Sequence, residues 1–171
     1  LGEASKEEIH RKGLLHRAFS LVLWRDGAMG PEVLLAKRAA GKYHSAGLWA
    51  NACCSHPRMG ETVMDAARRR VQEEIGCPVR DCREIGKFIY RACFPDDLCE
   101  YEYDHVLVGR CENEVRPDVD EIAKTRWVNL KTLSESLLSE PEQFAPWAFT
   151  VFSLAMQWME SKKGTVVSDN L

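Results

Sequence analysis

The densest chemistry in the chain lies in the run Asn51-Ala52-Cys53-Cys54-Ser55-His56-Pro57. Two thiols and an imidazole this close could be a metal site, a nucleophile with its base, a disulfide or a piece of core. Adjacent cysteines rarely bridge, because neighbouring residues do not easily reach disulfide geometry. On an extended segment successive side chains point to opposite faces. One of the two is therefore expected to pack in the core while the other stays available for chemistry. A second constellation is Glu100-Tyr101-Glu102-Tyr103. Its two glutamates share one face of a strand, where they repel unless solvent or a cation stands between them. His10, His16 and His56 could complete a cation site. Three imidazoles and two carboxylates suit Mn2+, Mg2+ or Zn2+ by ligand type and number. His44 and His105 are expected to be surface or core filler.

The elements that must position these groups follow from hydrophobic pattern. Leu14–Trp24 reads as a strand, followed by a turn and a hairpin partner at Val33–Lys37. Residues 41–47 form a loop and Leu48–Cys53 is extended. Glu61–Ile75 is the clearest helix: Val63, Ala66, Ala67, Val71 and Ile75 recur near a 3.6 period, and Gly76 stops it. Glu84–Cys93 and Glu100–Val108 are strands, as is Thr125–Val128. Helices are expected near Leu130–Leu138 and Pro146–Met159, with a loose tail over 161–171. This order predicts a single α/β or α+β domain over residues 1–171, a mixed sheet between helices.

Composition excludes several classes. Of 171 residues, 45% are hydrophobic and 29% charged, the usual balance of a globular domain. The net charge is −3 and the densest basic run is Arg68-Arg69-Arg70, so no nucleic-acid partner is expected. No apolar run is long enough to span a bilayer, and no membrane association is expected. The first ten residues have no apolar signal core, and the chain begins without Met, so a trimmed start and a cytoplasmic location are expected. The seven cysteines then read as free thiols, with no CxxC pair to suggest a zinc ribbon. A monomer is expected. No glycine fingerprint for a dinucleotide is present, so no flavin is expected.

The helix carries a damaged motif. Glu61, Arg69, Glu73, Glu74 and Gly76 resemble the Nudix box, a loop–helix–loop whose glutamates hold Mg2+ against a diphosphate. Ser55 stands where the box has its first glycine, and Arg70 where it has a glutamate. The pattern implies a Nudix-like fold and weakens a hydrolase reading.

Four runs, Gly13–Ser20 (GLLHRAFS), NACCSHP, EYEYD and Pro146–Phe149 (PWAF), occur in the same order in the type I isopentenyl-diphosphate isomerase family, bacterial form. The resemblance covers about Lys6 to Met159. It implies a prenyl diphosphate as small-molecule substrate. It implies His10, His16, His56, Glu100 and Glu102 as divalent-metal ligands and Cys54 and Glu102 as the acid–base pair. Tyr90 would assist Glu102, and Trp147 would cover the allylic carbons. Glu74 would ligate a Mg2+ arriving with the diphosphate, while Lys6, Arg38, Lys42 and Arg70 would hold its oxygens. The competing readings are a Nudix diphosphohydrolase, a thiol hydrolase built on Cys54 and His56, and a non-enzymatic metal-binding domain.

Overall fold

The computed structural model describes residues 4–42, 44–94 and 98–165, with the side chains of Lys6 and of 163–165 outside the description. Its first element, α1 (Lys6–Lys12), is absent from the sequence reading. The signal was present: the Ser5 hydroxyl accepts the Glu8 N–H at 3.2 Å, as Ser-x-x-Glu capping requires, and Gly13 closes the helix at φ 58.

Among the described residues seven strands follow: β1 (His16–Gly27), β2 (Gly30–Arg38), β3 (Trp49–Ala50), β4 (Cys53–Ser55), β5 (Arg80–Phe94), β6 (Leu98–Arg110) and β7 (Ile122–Asn129). They form one sheet with the path β3-β2-β1-β6-β5, with β4 also paired to β1 and β7 to β2. The β1–β6 pairing is parallel and the others are antiparallel, so the sheet is mixed, as expected. The extended stretch before Cys53 divides into two short strands, interrupted at Asn51 and Ala52.

Alternation along the strands sorts residues into two cores. Phe19, Leu21, Leu23, Leu34 and Leu107 point to one side, against Ala66, Ala67, Val71 and Ile75. These last belong to, or directly follow, α2 (Val63–Glu74). Val22, Val33, Leu35, Val106 and Val108 point to the other side. There they meet α3 (Leu130–Ser139) through Leu133 and Leu137, and α4 (Ala148–Thr165) through Val151, Phe152 and Ala155. Cys53 faces the α2 side and is buried among apolar groups. Cys54 faces the other side.

Two boundaries move for physical reasons. Helix α2 starts at Val63 because Thr62 is its cap, accepting the Asp65 N–H at 3.1 Å. Glu61 lies before the helix, where both its oxygens accept from Arg69 at 2.8 Å and one also accepts the Arg58 N–H at 2.9 Å. Helix α4 runs on to Thr165, so the expected loose tail is helical over 161–165; residues 166–171 lie outside the description.

Gly76 adopts φ 67, and a Cβ there would stand 2.6 Å from the Arg116 carbonyl oxygen. Both the left-handed backbone and the close approach need glycine. Gly76→Ala should lower stability by more than about 1 kcal/mol, read as a lower urea midpoint at unchanged slope. An unchanged midpoint would mean that the backbone at Arg116 yields at no cost.

Candidate metal and diphosphate site

The site is drawn on one sheet face by register. In the parallel β1–β6 pair His16 lies opposite Glu102. In the β5–β6 pair Tyr90 lies opposite Glu102 and Ala92 opposite Glu100. In the β1–β4 pair Ser20 lies opposite Cys54. Three strand pairings thus bring His16, Glu102 and Tyr90 into one row and Ser20 and Cys54 into another. Helix α1 adds His10 from the end of the sheet, and His56 follows β4 directly.

His10, His16, His56 and Glu100 offer ligand atoms that all lie within 4.8 Å of one another. His10 Nε2 is 3.0 Å from Glu100 Oε1, and His56 Nε2 is 2.9 Å from Glu102 Oε1. His16 Nδ1 lies 2.8 Å from the Leu14 carbonyl, which can only accept, so the His16 proton sits on Nδ1. Its Nε2 lone pair then points inward, 3.1 Å from His56 Nε2, 3.6 Å from a Glu102 oxygen and 3.8 Å from a Glu100 oxygen. An inward lone pair among carboxylate oxygens suits a cation. The residues therefore fit a divalent metal ion.

The two carboxylates are buried, and burial alone would raise both. Hydrogen bonds from His10 and His44 outweigh it at Glu100, and that from His56 at Glu102, so both titrate below the usual carboxylate range. His44 corrects the expectation of a filler residue. Its Nε2 lies 2.7 Å from Glu100 Oε1, the oxygen that His10 also contacts, and its ring stacks on Phe94. Burial lowers its pKa, which favours a neutral ring. No spacing links position 44 to 100, so only the fold could reveal it. His105 pairs instead with Glu84 at 2.7 Å, away from the cluster.

A cavity of about 90 Å³ adjoins this cluster. Its lining includes Cys54, Tyr90, Glu102 and Trp147, together with Arg38, Lys42 and Arg70. The Arg38 guanidinium lies over the Trp147 ring, 5.4 Å from its centroid, and donates to the His44 carbonyl at 3.1 Å. Lys42 contacts Glu121, a lining residue that the sequence reading overlooked. Arg70 pairs with Glu74, with Glu73 at 2.8 Å and with Glu121 at 3.6 Å. Glu74 is buried, and burial raises its carboxyl despite the facing Arg70 and Lys42. It meets the cavity through Arg70, its ion-pair partner, and is not itself among the lining residues. Lys6, also expected here, lies outside the described side chains.

Burial raises the Cys54 thiol to about 12, helped by the charge of Asp104. Burial and the facing Glu102 likewise push Tyr90 up. Both groups therefore carry their protons at neutral pH. Asp104 is itself raised to about 7 by burial and by Glu102, and accepts the Ser20 hydroxyl at 2.7 Å. Ser20 and Asp104 also went unnoticed in the sequence. A wider groove of about 640 Å³ runs between α3 and α4, past Leu130, Ser134 and Met156, far from this chemistry.

Fold and site together define a NUDIX domain, and that family matches residues 14–151. A MutT NUDIX hydrolase of Burkholderia pseudomallei has the same fold, with a TM-score of 0.64 over 82% of this chain and 97% of its own, at 18% identity. The NUDIX domain of Shewanella oneidensis NrtR superposes with a TM-score of 0.68 over 91% of this chain and 99% of its own, at 11% identity. Closer sequences narrow the class. Isopentenyl-diphosphate Delta-isomerase 2 of Photorhabdus laumondii is 46% identical over 149 residues, 86% of this chain and 81% of that relative. The isopentenyl-diphosphate Delta-isomerase of Photobacterium profundum is 41% identical over 95% of this chain and 91% of its own length. The chain belongs to the isopentenyl-diphosphate Delta-isomerase family.

His44 reaches the cluster through its contact with Glu100. His44→Ala should weaken retention of a divalent metal by roughly 10–100-fold, measured by competition with a chelator. Unchanged retention would reduce His44 to packing against Phe94 and Trp147.

Proposed function

We propose that this chain interconverts isopentenyl diphosphate and dimethylallyl diphosphate, with Cys54 and Glu102 as the proton-exchanging pair. The observation that carries the reading is the meeting of a thiol, a carboxylate and an indole with three cations around one small cavity. A hydrolase needs carboxylates that activate water. Here Arg70 replaces one of them, and Glu61 is engaged by Arg69.

Moving a terminal double bond inward adds a proton at the terminal carbon and removes one from the carbon next to the double bond on the diphosphate side. The substrate is unchanged in composition. An alkene is a weak base, so the donor must be well placed and the site dry. One of Cys54 and Glu102 gives the proton and the other takes one, and the roles exchange in the reverse direction. The Tyr90 hydroxyl holds its proton beside Glu102 and can hydrogen-bond whichever form is present. The tertiary cation formed between the two proton transfers would be trapped by water. A Trp147 face stabilises it instead, as aromatic rings do for cations.

Arg38, Lys42 and Arg70 bind the diphosphate, with Lys6 completing the set. Guanidinium and ammonium groups match phosphate oxygens in charge and donor geometry. Glu74 would hold the Mg2+ that accompanies the diphosphate. The Arg70 contacts with Glu73, Glu74 and Glu121 then give way to substrate oxygens. His10, His16, His56, Glu100 and Glu102 would hold Mn2+, Mg2+ or Zn2+, which when bound would supply positive charge beside the Glu102 carboxylate. A monomer suffices, because every group in the scheme comes from one chain. No helix among the described residues is long and apolar enough to cross a membrane. The free cysteines fit a reducing cytoplasm.

The test is a proton and phosphorus NMR time course with isopentenyl diphosphate, Mg2+ and Mn2+. We expect the exomethylene signals to give way to two methyl signals with the diphosphate intact. Release of phosphate with an unmoved alkene would establish a hydrolase instead. Within the same assay, Cys54→Ala should abolish turnover and Cys53→Ala should retain most of it; the converse pattern would overturn the assignment. Arg70→Glu should weaken diphosphate binding, seen as a raised KM, without producing phosphate.

A further inference from the structure

Asn51 is the first residue of the NACCSHP run and has no part in the scheme above. It is 2% exposed, so each of its polar atoms needs a partner. Its amide nitrogen donates to the Leu21 carbonyl at 3.1 Å and to the Cys53 carbonyl at 3.0 Å. Carbonyl oxygens only accept, so these bonds settle which way the amide points. The atom left to face Cys54 and Trp147 is Oδ1, which has no proton to give.

Two donors converge on that oxygen. The Cys54 thiol lies 3.2 Å away and the Trp147 indole Nε1–H 3.1 Å away. The two residues are 93 positions apart in sequence, one at the sheet and one just before α4. Asn51 itself sits in the break between β3 and β4, where the strand ladder lapses and frees an amide to turn toward β1. The Leu21 carbonyl comes from the middle of β1, so the amide is held by the centre of the sheet.

We propose that Asn51 is a positioning residue that holds the Cys54 thiol and the Trp147 indole in register through its single side-chain oxygen. As a pure acceptor it directs the S–H proton along a defined line. It also fixes the indole plane by the same atom, so a displacement of either group is felt by the other. Aspartate could not replace it, since a carboxylate has no N–H for the Leu21 and Cys53 carbonyls. Serine could not reach both donors. The effect on turnover rests on the roles proposed above for Cys54 and Trp147, whereas the shared hydrogen bond does not.

The experiment reads the bond directly. The S–H stretching band of Cys54 is isolated by infrared difference between the wild type and Cys54→Ala, and the Trp147 indole N–H signal is assigned by its loss in Trp147→Phe. In Asn51→Ala we expect both signals to move toward their weakly bonded positions. We also expect kcat to fall roughly 10²-fold, as for a small misplacement of reacting groups, with little change in the KM for the diphosphate. If Asn51→Ala does not fold, Trp147→Phe gives the second reading. Freed of the indole, Oδ1 bonds the thiol alone, and the S–H band should shift toward the strongly bonded side. An S–H band unmoved in Trp147→Phe, or both signals unmoved in a folded Asn51→Ala protein, overturns the proposal. If both signals move while no variant or wild type turns over isopentenyl diphosphate, the bond stands and the isomerase reading fails.

Discussion

The structure depends on burying two like charges side by side. Glu100 and Glu102 lie on the same face of β6, 2% and 9% exposed. An isolated carboxylate in such a place would cost several kcal/mol and would protonate instead. Here four histidines, His10, His16, His44 and His56, are drawn to the pair from four different parts of the chain. Breaking a buried pair by deleting one partner typically costs about 3–5 kcal/mol. The cluster therefore does more than offer ligands. It ties α1, the β2–β3 loop and the end of β4 to β6, and all of these but α1 also contribute to the cavity lining among the described residues.

Next to this anionic cluster the cavity turns cationic within one small volume. Arg38, Lys42 and Arg70 line it, Lys42 and Arg70 pairing with Glu121 and Arg70 also with Glu74. Arg70 is the informative position. In the sequence it spoils a hydrolytic motif; in the fold it is a guanidinium aimed at the cavity and held in place by neighbouring carboxylates. A single exchange of charge on α2 puts a cation in the cavity lining where the motif has a carboxylate.

Much of the architecture was legible because hydrophobic period is local. The alternation in β1, β2 and β6 and the 3.6 repeat of α2 required no tertiary knowledge, and the opposite facing of Cys53 and Cys54 followed from strand geometry alone. Helix α1 was legible too, through Ser5 and Glu8, but it is short and polar, and no hydrophobic stripe announces it. Ser20, His44, Asp104 and Glu121 were beyond reach. Each matters through a partner distant in sequence, and a lone polar residue gives no sign of who will face it.

The sequence by itself determined the residue types at the site, the family and the face on which each strand residue lies, since these depend on identity and on a two-residue period. Only the tertiary structure decided what those faces meet. The parallel register of β1 on β6 sets His16 against Glu102 rather than one residue away, and a slip of one would turn every side chain to the other core. Likewise the break between β3 and β4 frees Asn51 to reach β1 and the approach to α4 at once. Such meetings arise from long-range packing, where the free energy of burying two cores selects one register from several that the local pattern permits.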